Sequence, residues 1–197
     1  MNKKGLWALM EWIWRLMSLN LVWILFSLPI ITIIPSTFAL IGVADKWVKE
    51  DKDLSVFSTF KGLFRKYFRE SYRFGFFFIA IGLFLYFDLV IVLNQQGVYF
   101  LTVQYVLLFT IILFVITMMY SVPVFLNYSY SFFKSLFFGL MLGIRQPIIT
   151  ALVLITIIFI GMLLLFLTGF GVLFFASLPA LLICKATHFT IDRLTIN

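Results

Sequence analysis

The sequence has few charged residues and almost no cysteine or histidine. Charged side chains make up 12% of its 197 residues, with one cysteine, Cys184, and one histidine, His188. A lone cysteine excludes an internal disulfide, and no group of cysteines and histidines has the spacing of metal ligands. Soluble domains carry about a quarter charged residues. The low charge and a hydrophobic content of 63% therefore exclude a water-soluble globular protein.

Motifs for catalysis are also missing. The chain has no phosphate-binding loop, no HExxH motif and no pair of carboxylates at the spacing of a glycosidase. A serine or cysteine nucleophile would depend on His188 alone, and we interpret this residue as lying at the membrane interface. The sequence predicts a protein that is not an enzyme, with no catalytic residue, no cofactor and no metal.

Long apolar runs dominate the chain. No Asp, Glu, Lys or Arg occurs in 16–44, 89–133 or 146–184, and each run exceeds the roughly 20 residues of one transmembrane helix. Turns at 94–97 and 168–171 divide the second and third runs. We predict one domain over 1–197, an all-α polytopic transmembrane bundle with about five spans, at 14–44, 74–93, 99–122, 147–167 and 172–190.

Two prolines, Pro29 and Pro35, interrupt the first run. They allow either one long, tilted helix with a proline kink or a re-entrant hairpin. The single helix, which we adopt, places the N-terminus outside the cell. A hairpin, or an extra span over 29–44, would place the N-terminus inside.

Positive charge is concentrated in one connection. More than half of the fifteen Lys and Arg residues lie between Asp45 and Arg73, while the turns at 94–97 and 168–171 carry none. Cytoplasmic loops of membrane proteins are enriched in Lys and Arg. This connection is therefore predicted to be cytoplasmic, together with the C-terminus. The formal net charge of +7 then reflects topology rather than binding to nucleic acid.

Two amphipathic segments accompany the spans. Within 56–72, aromatic residues at helical spacing form one face and basic residues the other, which is typical of a helix lying in the lipid headgroup region. A second interfacial helix is predicted at 131–145, because FKSLF at 133–137 resembles FKGLF at 60–64. The candidate contacts to a partner or to lipid are Phe57, Phe60, Lys61, Phe64, Arg65, Lys66 and Arg69.

A Ser-x-Pro element occurs three times, at 27–29, 121–123 and 177–179. The first two precede the FKxLF segments, which suggests an internal duplication and favours an N-terminus outside. Gly139 and Gly143 allow close helix packing. We favour packing against the protein's own spans, and an interface with a partner is the alternative. The residues predicted to kink or pack helices are Ser27, Pro29, Pro35, Pro123, Pro179, Gly139 and Gly143.

One acidic residue, Asp88, lies inside a predicted span. Ionisable groups at membrane depth are costly and are candidates for function. With the N-terminus outside, Arg15 reaches a similar depth. We therefore predict an Arg15–Asp88 pair. A structural role for this pair is favoured, and contact to an ion or substrate is the alternative. Asn20 is predicted to hydrogen-bond between helices.

Residues 19–37, LNLVWILFSLPIITIIPST, resemble the N-terminal signature of the YesL-like family of small bacterial membrane proteins, a domain of unknown function. That signature is approximately L-N-x-x-W followed by S-L-P-x-x-T-x-x-P-[AS]-T. The family often has glycine before the second proline, where this chain has Ile34. The later part of the chain is similar mainly in its hydropathy.

The resemblance implies a non-catalytic accessory subunit, in the bacterial cell membrane, of an ABC importer for plant-polysaccharide oligosaccharides. The implied partners are the permease subunits and their ATPase, membrane lipids and, through the complex, a solute-binding protein. The chain lacks the EAA–G loop of the permeases themselves. Two alternatives stay open, namely a small independent transporter or channel, and a membrane scaffold that couples to a sensor kinase.

Overall fold

The computed structural model describes residues 3–49, 54–128, 130–166 and 171–195. No strand occurs among these residues, so the predicted all-α class is confirmed. A 3-10 turn, Ile30–Thr32, separates the first two α-helices. The α-helices are α1 (Lys3–Ser27), α2 (Ile33–Val48), α3 (Val56–Leu93), α4 (Val98–Tyr128), α5 (Phe132–Arg145), α6 (Pro147–Phe166), α7 (Gly171–Phe174) and α8 (Ser177–Thr195).

The first apolar run folds into two helices, so the predicted single span over 14–44 is wrong. Helix α1 ends at Ser27, and α2 begins at Ile33. The two helices form an antiparallel hairpin in which the rings of Trp12 and Trp47 meet edge to face, with centroids 6.0 Å apart. The alternative hairpin reading of this run is therefore the one that the fold adopts.

The bend of this hairpin follows from proline chemistry and one hydroxyl group. Pro29 has extended backbone angles (φ −74°, ψ 116°), and a proline disfavours helix at the residue before it and donates no backbone hydrogen bond. The Thr32 hydroxyl lies 2.6 Å from the carbonyl oxygens of both Phe26 and Pro29. These carbonyls at the end of α1 therefore have a local donor. Pro35 lies in the first turn of α2, where a missing N–H costs nothing.

Helix α2 is the centre of the bundle. It packs against α1, α3, α4 and α8, and its residues Ala39, Leu40, Val43 and Ala44 are at most 1% exposed. Small side chains let neighbouring helices approach closely, which increases the dispersion contacts between them. Much of the core is therefore formed where these four helices pack against α2.

Helix α8 lies parallel to α2. The Cys184 thiol donates to the Ile41 carbonyl at 3.5 Å, and one turn further along His188 Nε2 lies 2.8 Å from Asp45 Oδ1. Because α1 is antiparallel to α2, the beginning of α1 and the end of α8 lie at the same end of the bundle. The prediction that the two termini lie on opposite sides of the membrane depended on the first apolar run being a single span, and this run forms two helices.

Helix α3 is continuous, so the predicted interfacial helix 56–72 and the span 74–93 are one element. Its 38 residues correspond to a length of about 57 Å, nearly twice the hydrocarbon core of a bilayer. No proline or turn separates the two halves. Ser71, Phe74 and Phe78 are all buried, so the buried face of the first half continues into the second. The basic half is thus a rigid extension of the apolar half.

The middle of the chain follows the prediction more closely. Helices α3 and α4 are joined by the predicted turn at 94–97, where Gly97 has a φ of +122° that other residues rarely adopt. Helix α4 continues past 122 to Tyr128, with Pro123 inside it. The predicted interfacial segment 131–145 corresponds to α5, and α5 meets α6 at an angle of 97°.

The last two predicted spans are modified. The span 147–167 corresponds to α6, although residues 167–170, and with them most of the predicted turn, lie outside the described residues. The span 172–190 is not one helix, because α7 ends at Phe174 and α8 begins at Ser177. Pro179 lies in the first turn of α8, a position that tolerates proline without a kink.

Several helices are long and apolar enough to cross a membrane. In the described part of the chain four meet this criterion, and the bent pair α5–α6 is a fifth if it counts as one span. The four are Leu9–Ser27, Ile30–Val48, Val56–Leu93 and Val98–Tyr128. Length and composition therefore support a multi-pass membrane protein.

The two FKxLF segments occupy different structural settings. Phe60 is fully buried in the continuous helix α3, whereas the matching Phe133 is 76% exposed on α5. The Ser-x-Pro elements also differ, since they lie at the α1–α2 bend, inside α4 and at the start of α8. The structure therefore gives no support to an internal duplication.

The glycines of the GxxxG motif pack against the protein's own helix α4, as predicted. A β-carbon on Gly139 would lie 2.7 Å from the backbone nitrogen of Ser121, and one on Gly143 would overlap Ile116 Cγ2. Both contacts are shorter than carbon can tolerate. The backbones of α4 and α5 are therefore close because both positions lack a side chain.

We expect Gly139→Ala to lower the stability of the detergent-solubilised protein by about 1–3 kcal/mol, the usual cost of overpacking. Gly62→Ala is the matched control, because no atom lies within 4 Å of a β-carbon there and alanine favours helix by about 0.5–1 kcal/mol. Thermal unfolding measures both. Equal midpoints for the two variants would contradict the close packing of α4 on α5.

Candidate functional site

A buried polar cluster surrounds Asp45 near the end of α2. The Asp45 side chain is 6% exposed. Its Oδ1 atom accepts hydrogen bonds from Asn127 Nδ2 and His188 Nε2, both at 2.8 Å, and its Oδ2 atom lies 3.3 Å from Lys49 Nζ. Three helices, α2, α4 and α8, thus meet at one carboxylate.

The local sequence explains how each group reaches this point. Lys49 lies four residues after Asp45, which places the two side chains on one helix face. Asn127 is within reach because α4 continues past Pro123, and its Nδ2 group also lies 2.9 Å from the Pro123 carbonyl. His188 faces Asp45 because α8 runs parallel to α2.

The geometry is that of an ionised carboxylate surrounded by donors. Because a carboxylate only accepts hydrogen bonds, the Nε2 atom of His188 carries the proton that it shares with Asp45. A buried charge is tolerated only when paired and hydrogen-bonded. No group of three or more His, Cys, Asp or Glu residues suited to a metal exists in the described part of the chain. The chemistry of the cluster is therefore that of an interhelical tie.

This cluster was missed by the sequence reasoning. The sequence indicates only that His188 lies at the membrane interface and that Asp45 begins the basic connection. The available signal was that Asp45 is the first charge after an uncharged run and that His188 is the single histidine. Pairing them required knowing that α2 and α8 are parallel neighbours.

The predicted Arg15–Asp88 pair is wrong. Arg15 pairs with Glu11, one turn earlier on α1, and lies beside Leu54 and Phe57 around a cavity of about 490 Å³. Asp88 is more than eight helical turns further along α3, at a distance of about 45 Å. The pair fails because α1 packs beside the basic half of α3, not beside its apolar half.

The candidate contacts on the basic aromatic segment divide into two sets. Phe60 is fully buried and its ring lies 5.1 Å from that of Phe26, so it is a core residue and unavailable to a partner. Phe64 also contacts Phe26, and Phe57 is about half exposed. The remaining members of the set are exposed and basic, namely Lys61, Arg65, Lys66 and Arg69.

The predicted proline positions have different roles. Pro35 and Pro123 are buried, and only Pro123 interrupts a helix interior. The serines of the three Ser-x-Pro elements share one property. Their hydroxyl groups are buried without a hydrogen-bond partner, at Ser27, Ser121 and Ser177.

The polar residues of segment 19–37 hold the α1–α2 hairpin and α8 together. Asn20 Oδ1 accepts hydrogen bonds from the backbone N–H groups of Ala176 and Ser177, at 3.0 and 3.2 Å. It therefore caps the start of α8, which confirms the interhelical role predicted for Asn20. Across the hairpin, Trp23 Nε1 donates to Thr37 Oγ1 at 3.3 Å.

Removal of the buried carboxylate is expected to be costly. Asp45→Ala leaves His188 and Asn127 without their acceptor, so we expect a loss of about 3 kcal/mol, or about 6 to 12 °C in the unfolding midpoint. Asp88→Ala makes the same charge change at a residue without an ion pair among the described residues, and its midpoint should be nearly unchanged. Differential scanning fluorimetry in detergent compares them. A smaller loss for Asp45→Ala than for Asp88→Ala would refute the tie.

Comparison with known proteins identifies relatives over most of the chain. The family described as "Protein of unknown function, DUF624" matches residues 16–89. The uncharacterized protein YesL of Bacillus subtilis (strain 168) is 31% identical over 184 residues, which cover 92% of this chain and 87% of YesL. The uncharacterized protein YteU of the same organism is 27% identical over 85% of this chain and 77% of YteU.

A third relative, the uncharacterized protein YesV of Bacillus subtilis (strain 168), is 29% identical over 77% of this chain and 74% of YesV. No solved structure matches the chain. The identity to YesL extends over nearly all of both proteins. The chain therefore belongs to the YesL-like family of proteins of unknown function.

Proposed function

We propose that this protein is a non-catalytic accessory membrane subunit of a bacterial oligosaccharide ABC importer, which packs beside the permease subunits. Family membership and the multi-pass helical architecture are compatible with this role. The importer association itself rests on the resemblance described for residues 19–37. The observation on the molecule that supports the proposal is a row of exposed cations on α3, most of which have no ion pair among the described residues.

The cation row consists of Lys61, Arg65, Arg69 and Arg73, each four residues after the last. Arg73 Nη1 lies 3.2 Å from Glu70 Oε2. The other three cations of the row, and the neighbouring Lys66, have no carboxylate partner among the described residues. Like charges at this spacing destabilise a helix by about 0.2–0.5 kcal/mol per pair. Such a row is stabilised by an anionic surface, which an acidic patch of a permease or ATPase supplies.

Sidedness follows from the same charges. We infer that the cation row, the beginning of α1, the end of α8 and the Asp45 cluster face the cytoplasm. The support is that Trp12, Asp45 and His188 all lie at one end of the bundle, that the basic half of α3 begins beside this end, where Phe60 packs with Trp47, and that cytoplasmic segments are enriched in Lys and Arg. The turn at 94–97 then lies outside. This arrangement replaces the topology that we had derived from a single first span.

An independent transporter is less well supported. A transporter would need polar residues that converge from several spans, and the Asp45 cluster is such a set. The carboxylate oxygens of Asp45 are already paired with Asn127, His188 and Lys49, however, and neither Asp45 nor His188 lines the cavity beside Arg15. A transport site needs polar groups that are free to bind a solute.

Affinity purification tests the proposal. Tagged protein is extracted in mild detergent from its native membrane after growth on plant-cell-wall oligosaccharides, and co-purifying proteins are identified by mass spectrometry. We expect two permeases and an ATPase in stoichiometric amounts. Recovery of the protein alone, or as a homo-oligomer, would rule out the accessory role, and recovery of a sensor kinase would favour the scaffold alternative.

Charge reversal in the cation row tests the contact surface. We expect Arg65→Glu with Arg69→Glu to reduce recovery of the importer subunits about tenfold, since juxtaposed like charges cost several kcal/mol. The control is Lys134→Glu with Lys185→Glu, which makes the same charge change at exposed positions outside α3. Equal recovery of the importer subunits with both double variants would show that these subunits do not contact the cation row.

Cysteine labelling tests the sidedness. Trp7→Cys and Gln95→Cys introduce thiols at exposed positions near the two ends. The wild-type protein reports the background, because its single Cys184 is buried. In spheroplasts, a membrane-impermeant maleimide is expected to label the Gln95 variant and to label the Trp7 variant only after permeabilisation. The reverse pattern would place the N-terminus outside.

A further inference from the structure

A cavity between α2, α3, α4, α6 and α8 has no part in the roles described so far. Its volume is about 490 Å³. Buried Phe74, Phe78 and Met119 form its floor, while Ile79 and Met118 at its rim are more than half exposed. The rim residues belong to α3 and α4, which are both long and apolar enough to span a membrane. The cavity therefore opens towards the lipid.

The wall of this cavity offers almost nothing to a polar ligand. Among the described residues of the lining, Thr37 has the single hydroxyl group. That hydroxyl donates to the Ile33 carbonyl at 2.8 Å and accepts from Trp23 Nε1 at 3.3 Å, so its one proton is already used within the protein. A sugar would lose its hydrogen bonds to water on entering, and a water molecule would lack the two or more polar partners that it needs.

The size of the cavity limits its occupant further. One turn of an α-helix with its side chains fills about 400–600 Å³, so the space holds little more than a single turn. A transmembrane helix of a partner protein, with roughly 20 residues, would remain almost entirely outside. A flexible hydrocarbon chain has no such requirement, and two neighbouring methionines, Met118 and Met119, adapt readily to its shape.

We propose that the cavity binds one acyl chain of a membrane phospholipid. An empty apolar cavity leaves the atoms of its lining without dispersion partners, and the surrounding bilayer supplies acyl chains at high concentration. The chain enters past Ile79 and Met118 and lies against Phe74 and Phe78. The bound lipid thereby fills the space between α3 and the α6–α8 pair.

Two tryptophan substitutions on one helix test this site. Leu154 lines the cavity, whereas Leu152 on the same helix is 58% exposed and does not. We expect the wild-type protein and Leu152→Trp to retain one phospholipid per protein in native mass spectrometry after purification in mild detergent. Leu154→Trp should retain about tenfold less, because the indole occupies the space and removes the dispersion contacts. Equal retention in all three proteins would overturn the proposal.

A second measurement does not depend on the folding of a variant. Wild-type protein in vesicles is irradiated with a phospholipid that carries a diazirine on one acyl chain, and cross-linked peptides are identified. Cross-links concentrated on residues such as Met119, Leu154 and Ile183 would support the site. Cross-links that occur equally at Leu152, which does not line the cavity, would overturn it.

Discussion

The burial of one carboxylate, Asp45, constrains the arrangement of three helices. An ionised group taken out of water costs several kcal/mol unless donors surround it, and a single helix supplies only Lys49. The other donors are Asn127 and His188, at 2.8 Å each. Helix α4 must therefore extend beyond its internal proline, and α8 must run parallel to α2. The sole histidine of the chain is thus a structural partner in the bundle.

The signature segment has a comparable architectural role at the other end of α8. Asn20 caps the first turn of that helix, Thr32 closes the bend of the hairpin, and Trp23 and Thr37 connect its two arms. All of these contacts lie within the protein. The polar residues of the motif that marks the YesL-like family in this chain therefore serve the fold, whereas its apolar residues Leu28, Ile30 and Ile31 at the bend are exposed.

Helix α3 separates two chemically different surfaces. Its first half carries the cation row on one side and packs through Phe60 against the hairpin on the other. Its second half is apolar and borders the cavity that opens to lipid. A continuous helix of about 57 Å couples these surfaces rigidly.

The sequence by itself determined the helical membrane class, the turn at 94–97 and the close packing at Gly139, because composition, glycine conformation and small-residue spacing act locally. It also identified the exposed cations of α3. Only the tertiary structure decided that the first apolar run is a hairpin, that Arg15 and Asp88 lie far apart, and that Asp45 meets His188. Those outcomes depend on which helices become neighbours and in which direction they run. Local patterns carry no such information, since burial of the same apolar faces is compatible with several arrangements of the helices.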